Sequence, residues 1–579
     1  MKSKLVITYL IVSLLAFTSL QASNTDKVGT LEERVKEVTL DNGLKVVVVE
    51  RHNAPVFFGV ITFRVGSSNE LPNRSGLSHF LEHMLFKGTK TIGSKGYENE
   101  IPIMKELEEA AARIKEIQID LKSWRYELFD EFATKVKSEL PAETREAIGA
   151  DEAAGWRAVL DQLPEDVASL PEDWTRSPWM LENKGHDYWA MYRELLKNRA
   201  HLAELIIKHR EFINQTEVSR VYNTHGGRAL NAATSYDFTR YQVGLPANCL
   251  ELWMSIEADR YQNPVFREFY SEREVIMEEK RMKDNNPGGK LFHALVSAAF
   301  NAHPYGIPII GWMSDIKLTT RSDMENHFNR YYVPNNCQIA IVGDVNADEV
   351  FTMVEKYYGS WEAKEVNIEV TIVEPEQIGE RRVQVEHDAE PQLIIGYHVP
   401  TEPHPDAYPL EILMRVLSEG RTSRLYKSVF VEQGLTSRSP GVDTNPADRY
   451  PNLMSIFTAP KSPHTTLEVE EAVYAEFEKL KVEPVTDREL ERIRNNFKME
   501  QLERMSSNYW LAFTMSYSYA NRGDWRALTE DFNRLMQVTP KDIQRVAKKY
   551  LTAQNRTVAT LVKPVETVNA EVEAKEGLK

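Results

Sequence analysis

Cysteine is almost absent from the chain: Cys249 and Cys337 are the only two in 579 residues. Two thiols so far apart make a poor metal site, and a large chain needs no single disulfide, so both read as small buried apolar residues. Excess positive charge is missing too. The 70 Lys and Arg are outnumbered by 86 Asp and Glu, for a net charge of −16. That excludes a sequence-independent nucleic-acid binder, which needs clustered basic groups. Beyond residue 22 no run is apolar enough to span a membrane. What is present is a globular composition, 42% hydrophobic and 27% charged, in a chain too long for one core. Two or more domains are expected.

The one apolar run lies at the start. "MKSKLVITYLIVSLLAFTSLQA" puts Lys2 and Lys4 before Leu5–Leu20 and ends on the small residue Ala22. This is the pattern of a secretory signal over residues 1–22, too short for a span of ~20 residues, and with no Cys at the junction to carry a lipid. The expected location is periplasmic or secreted, with no stable membrane span after cleavage.

From Val35 to Arg64 the sequence alternates and runs apolar around Asn42-Gly43, a strong hairpin signal. Further strands are expected at 338–345, 381–387 and 391–399, with helical stretches between them and no strict βαβ rhythm. The fold class read from this is α+β: two similar domains, each an antiparallel sheet covered by helices, with a coiled-coil-like helical insertion in the first. The expected boundaries are a first domain over 23–365, an insertion over 98–215, a linker over 366–380, a second domain over 381–565 and a charged tail over 566–579.

The insertion is read from two seams. Ile103, Leu107, Ala110, Ile114, Ile117, Leu121 and Trp124 step by 4 and 3 residues alternately. So do Tyr188, Met191, Leu195, Asn198, Leu202, Leu205, His209 and Phe212. Two such seams predict an antiparallel helical hairpin, with Asn198 and His209 setting register. Trp156, Trp174 and Trp179, among acids and prolines, suggest a small folded knob at its tip.

Chemistry concentrates in "GLSHFLEHMLFKGT", residues 76–89. On a helix His79 and His83 share a face and can grip one cation, and Glu82 lies beside them. Glu82 is too close in sequence to need a role as third ligand, but is well placed to take a proton from a water at the ion. This is the metalloprotease pattern H-E-x-x-H written in reverse, and zinc suits imidazole and carboxylate ligands. Five positions with three fixed types also arise by chance on a surface helix, so both readings stand on spacing alone.

The flanks go further. "GSSNELPNRSGLSHFLEHMLFKGT" resembles the active-site segment of the pitrilysin/insulinase (M16) family of zinc peptidases, which includes the mitochondrial processing peptidases. "HGGRALNAATSYDFTRYQ" is similar to that family's pattern at Gly226, Gly227, Asn231, Ala232, Thr234, Thr239 and Tyr241. The same holds for "ADRYQNPVFREFYSEREVIMEEKRM", for 303–311 and for 331–345. Together these cover most of residues 35–365 outside the hairpin, and 380–562 looks like a weaker second copy. The resemblance implies a zinc endopeptidase in which Glu82 is the base and His79, His83 and Glu279 hold Zn2+. It further implies Glu272 as support for a ligand histidine, and peptide substrate laid along the sheet edge at Asn231, Ala232, Ala233 and Thr234. A distant third carboxylate and a supporting acid two turns earlier make chemical sense. Spacing alone does not choose Glu279 over Glu278; the resemblance does.

Two departures matter. From His83 to Glu279 is 279 − 83 = 196 residues, and removing the 118 residues of 98–215 leaves 78, about the family's gap. The insertion would gate access, dock a partner, or be a stiff ornament. In many members the second domain also supplies an Arg and a Tyr around a Gly-Leu. Here Phe430 and Ser437 flank Gly434-Leu435 at those places, with Tyr426 and Arg438 out of register. The resemblance therefore implies the zinc-bearing half of a pair: a hetero-dimer with a related chain carrying the Arg/Tyr, or a homodimer. A non-catalytic scaffold is the rival reading.

Overall fold

The structure is a computed structural model that describes residues 30–121, 123–148, 151–165, 169 and 183–564. The expected signal segment, the tail, Trp174 and Trp179 lie outside the described residues. Among those described, no helix is long and apolar enough to cross a membrane.

Asn42-Gly43 does turn the chain between β1 (Val35–Thr39) and β2 (Lys45–Glu50). Gly43 sits at φ +86°, and a Cβ there would stand 2.7 Å from that of Asn335, so glycine is required on both counts. With β3 (Val56–Phe63), β4 (Arg228–Thr234), β5 (Thr239–Pro246) and β6 (Cys337–Gly343), these strands form a six-stranded sheet in the order β1-β2-β6-β3-β5-β4. A second, five-stranded sheet runs β7-β11-β8-β10-β9, from β7 (Arg381–Glu386), β8 (Gln392–Val399), β9 (Gly441–Asn445), β10 (Asn452–Thr458) and β11 (Arg556–Val562). Without β1 the two orders coincide strand for strand. Each sheet is antiparallel except for one parallel pair, β2 with β6 and β7 with β11. The reason is that β6 and β11 return only after a long helical excursion, and such crossovers admit parallel neighbours.

The helices repeat the plan. In the first half come α1 (Leu77–Met84), α4 (Leu250–Gln262), α5 (Phe269–Asn285), α6 (Pro287–Ala299) and α7 (Arg321–Tyr331). The second half offers α8 (Ala407–Ser418), α9 (Thr466–Val482), α10 (Asp487–Ser506), α11 (Asn508–Arg522) and α12 (Pro540–Tyr550) in the same places between strands.

Each half lends one helix to the other. The face of the first sheet bearing Val47, Val49, Phe58, Val60, Ala340 and Val342 packs on Leu511, Ala512 and Met515 of α11. Reciprocally, Leu291, Leu295, Val296 and Ala299 of α6 cover Ile394, Leu453, Ala559 and Leu561 of the second sheet. A sheet covered on both faces needs no alternation, which is why "VVVV" at 46–49 is wholly buried. Both cysteines are buried and free. Residues 362–378, spanning most of the expected linker, run without helix or strand. They are tied down where the Glu374 carboxylate accepts the N–H groups of Asn301, Ala302 and His303.

Between α1 and β4 stand α2 (Tyr97–Leu121) and α3 (Asn183–Arg210). Arg113 pairs with Glu194 at 2.7 Å and Glu100 with His209 at 3.2 Å, so the two run antiparallel. At the base the Glu100 carboxylate is buried between His209 and Arg267, which anchors the hairpin to the domain. His209 thus makes the cross-hairpin bond expected of it. Asn198 does not: its amide donates to the Glu194 carbonyl of its own helix. The α2 seam from Ile103 to Leu121 is buried throughout. At the far end of α3 the packing leaves the expected seam, because Trp189 and Tyr192, not Tyr188 and Met191, are buried. Helices Ser123–Glu139 and Glu152–Gln162 explain this, since they cover that end with Phe129 and Val159 and turn a two-stranded seam into a helical head.

Candidate active site

Helix α1 starts where Gly76, at φ +91°, passes so close to Ile310 that a Cβ would lie 2.4 Å from its carbonyl oxygen. The Glu70 carboxyl, which burial pushes up to about 8, accepts the N–H groups of Gly76 and Ser78 at 2.7 and 2.6 Å and so caps the helix. This aims His79 and His83 at α5. His79 Nε2 lies 3.6 Å and His83 Nε2 3.8 Å from Glu279 Oε2. The three ligand atoms are all within 4.8 Å of one another. Zinc bonds of ~2.1 Å at tetrahedral angles place neighbouring ligand atoms about 3.4 Å apart, so the set fits the ion with small shifts. Glu279 converges on both histidines; Glu278 instead turns to Arg281.

Glu272 lies on the side of His83 away from Glu279. The His83 Nδ1–H donates to its Oε1 at 2.9 Å, which leaves the Nε2 lone pair pointing into the site. Burial pushes the Glu272 carboxyl up, but His83 and Lys87 outweigh it and hold it at about 2. Burial opposes a charge on His83; Glu272, Glu82 and Glu279 prevail and raise it. His79 is driven down to about 4, by burial first and by His83 next, so it is a neutral imidazole ready to donate a lone pair. Burial raises the Glu279 carboxyl, but Lys283, His79 and His83 bring it below its ordinary value.

Glu82 lies beside this cluster, not in it. Burial raises its carboxyl, as suits a proton acceptor that must later give the proton back. Its Oε2 accepts the Thr234 hydroxyl at 2.7 Å. Thr234 ends β4, which among the described residues pairs only with β5, through Asn231↔Gln242, Ala232↔Tyr241, Ala233↔Arg240 and Thr234↔Thr239. The other edge of β4 is free and leads to Glu82.

Several contributors were not read from sequence. Glu70 caps α1 across a loop, and Arg240 stacks 3.8 Å over Phe513 of the second half beside the β4 edge; no local pattern announces either. Lys283, on Glu279 Oε1 at 2.6 Å, is four residues from its partner and was legible from helical spacing. At the departure points, the Phe430 ring packs on Tyr426 and Ser437 is exposed.

Comparison with known proteins follows this geometry. The family model "Insulinase (Peptidase family M16)" matches residues 45–106 and 199–312, and "Peptidase M16 inactive domain" matches 319–497. The chain belongs to the M16 peptidase family. The first match breaks off at 106 and resumes at 199, so the interior of the hairpin lies outside it. Among curated relatives, this M16 chain is 29% identical over 371 residues to "Zinc protease PqqE" of Helicobacter pylori, covering 62% of this chain and 82% of that one. Among solved structures, a protease from Helicobacter pylori matches with a TM-score of 0.66 at 23% identity, over 91% of this chain and 99% of that one. The periplasmic protease PqqL of Escherichia coli matches at 0.61 and 16%, over 94% of this chain but 48% of its own length. These structures share the M16 fold of two halves.

Proposed function

We propose that this M16 chain is a zinc endopeptidase acting on extended peptides, with Glu82 as its base. His79, His83 and Glu279 would hold the ion through Nε2, Nε2 and Oε2. When bound, zinc supplies Lewis acidity that polarises a carbonyl and lowers the pKa of a water. Glu82 takes the proton of the attacking water and passes it to the leaving amine. Glu272 keeps His83 in the tautomer and orientation that ligation needs. Substrate adds as a strand to the free edge of β4 at Asn231–Thr234, which brings a peptide bond to Glu82 and favours unfolded segments over folded domains. The observation that carries this reading is the convergence of two imidazoles and a distant carboxylate beside an acid that ends on an open strand edge.

A Glu82→Gln variant should retain zinc and lose cleavage. Metal content and peptide turnover, measured on one preparation, decide it, and a fully active variant would overturn the assignment. A second reading has its own support: Phe430 and Ser437 stand where the family resemblance places an Arg and a Tyr. On that basis the chain is the metal-bearing half of a pair in the periplasm or outside the cell, completed by a related chain, or it is a non-catalytic scaffold. Purification with and without a candidate partner, followed by peptide digestion, separates these outcomes.

A further inference from the structure

The open edge of β4 has two faces, and the candidate metal site uses one of them. Residues directly opposed on antiparallel strands share a face, and neighbours along a strand alternate. Thr234, opposite Thr239, turns its hydroxyl to Glu82 of α1. Ala233 and the opposed Arg240 therefore face away from α1. On that far side of the sheet the Arg240 guanidinium lies 3.8 Å over the Phe513 ring of α11.

This guanidinium is short of partners. Arg260, Arg267 and Arg415 bind Glu257, Glu100 and Glu500 at 2.6, 3.0 and 2.6 Å. Arg240 is partly buried too, yet among the described residues no carboxylate pairs with it, and its buried Nε donates to nothing. Burial draws the guanidinium below its ordinary pKa, against Tyr509, Tyr517 and, last, Glu82, the only carboxylate among the described residues whose field reaches it. Two positions along the same face of β5, Gln242 is 7% exposed and its Oε1 accepts no hydrogen bond. A guanidinium taken out of water without an anion is costly, and stacking on an aromatic ring keeps its edge N–H groups free for one.

We propose that Arg240 selects substrates by binding the carboxylate of an Asp or Glu side chain, one residue along the peptide from the one that faces Glu82. A strand added to β4 would lie two strand spacings from β5, about 10 Å. On that face only Ala233 stands between them, and its methyl is too small to intervene. An acidic side chain from the peptide and the long side chain of Arg240 together span the gap above it. Trp510 and Tyr509 flank Phe513 at 5.6 and 6.0 Å, so the ion pair would form beside an aromatic wall, where it is screened less than in water. The proposal rests on the reading that a peptide adds to β4 and is cut there.

The test digests a library of acetylated, amidated peptides, whose only carboxylates are side chains, with the zinc-loaded full chain and any chain that co-purifies with it. Mass spectrometry reads the cut sites. Wild type should enrich Asp and Glu roughly tenfold over Asn and Gln at one fixed position beside the cut, the scale of one charge-assisted hydrogen-bonded contact. Arg240→Leu should erase that enrichment and Arg240→Lys should keep part of it. Arg240→Glu should turn it into a preference for Lys and Arg at the same position, a change that loss of folding cannot produce. One Glu/Gln pair drawn from the cut peptides should show the same margin in binding to the metal-free chain, measured by fluorescence anisotropy. Wild type without acidic enrichment overturns the proposal, as does enrichment that survives Arg240→Leu. A preference that appears only with unamidated peptides would assign the guanidinium to a chain end and overturn it as well. A library left uncut would be a different failure: it sinks the peptidase reading itself, and the proposal with it.

Discussion

The two halves share one blueprint and differ in the side chains that meet between its helices. In the first, His79 and His83 of α1 face Glu279 of α5. In the second, Glu411 and Arg415 of α8 face Glu500 of α10. Near the start of α5, Glu272 is held at about 2 by His83 and Lys87. Near the start of α10, Glu489 is held at about 2 by Arg424 and Thr486. One frame therefore carries a candidate ligand set in one copy and a closed ion-pair network in the other. The difference teaches that the layout fixes where two helices and a strand edge converge, while four or five side chains decide whether that point can hold a metal.

The comparison breaks most decisively at Glu82. Glu82→Gln should lower peptide turnover by roughly 10²–10⁴-fold with zinc content unchanged, read by metal analysis beside a kinetic assay. Next comes the element that only the first half owns. Glu100→Ala leaves Arg267 and His209 buried without their acid and should cost about 3–5 kcal/mol, seen as a lower denaturant midpoint. Proteolysis within the hairpin should rise with it. The exchanged helices should behave alike. Leu295→Ala and Leu511→Ala each hollow the seam between the halves and should cost about 2–5 kcal/mol, measured by urea unfolding. A large inequality between them would show that the two halves do not depend on each other equally.

The smallest effect concerns acid. Burial pushes the Glu489 carboxyl up, but Arg424 at 3.1 and 3.2 Å and the Thr486 N–H at 2.9 Å hold it at about 2, below its ordinary 4.5. A depressed carboxylate stabilises the fold above its unfolded value, and that stability is lost as the pH falls from about 4.5 towards 2. Partial exposure limits the contribution to about 1 kcal/mol. Thermal melts of Glu489→Gln should lie below wild type at pH 6 and converge with it near pH 2.

Much of this was legible in one dimension because it depends on local periodicity. His79, Glu82 and His83 share a helical face by spacing alone, Asn42-Gly43 announces its hairpin, and the α2 seam reads correctly from Ile103 to Leu121. Where reading failed, the missing information was long-range. Trp189 and Tyr192 are buried more deeply than Tyr188 and Met191, which pack at the margin, because other helices cover that end. Asn198, placed on the seam by count, found an acceptor in its own helix. The bond from the Thr234 hydroxyl to Glu82 joins residues 152 positions apart, and no local pattern announces it. Glu279 was chosen over Glu278 by family likeness, and the physical ground for that choice is visible only once α5 lies against α1.

The amino-acid order by itself determined the elements and their chemistry: which stretches pleat or coil, which are apolar on both faces, and which five residues carry two imidazoles and an acid. Those properties follow from neighbours a few positions apart. Tertiary structure alone decided that a carboxylate 196 positions from His83 meets the two imidazoles in a cluster that could hold a metal ion. It also decided that each half covers the other's sheet, and that the second half encloses a cavity of about 400 Å³. Such convergence is set by how helices pack across sheets, a property of the whole chain that no short window contains.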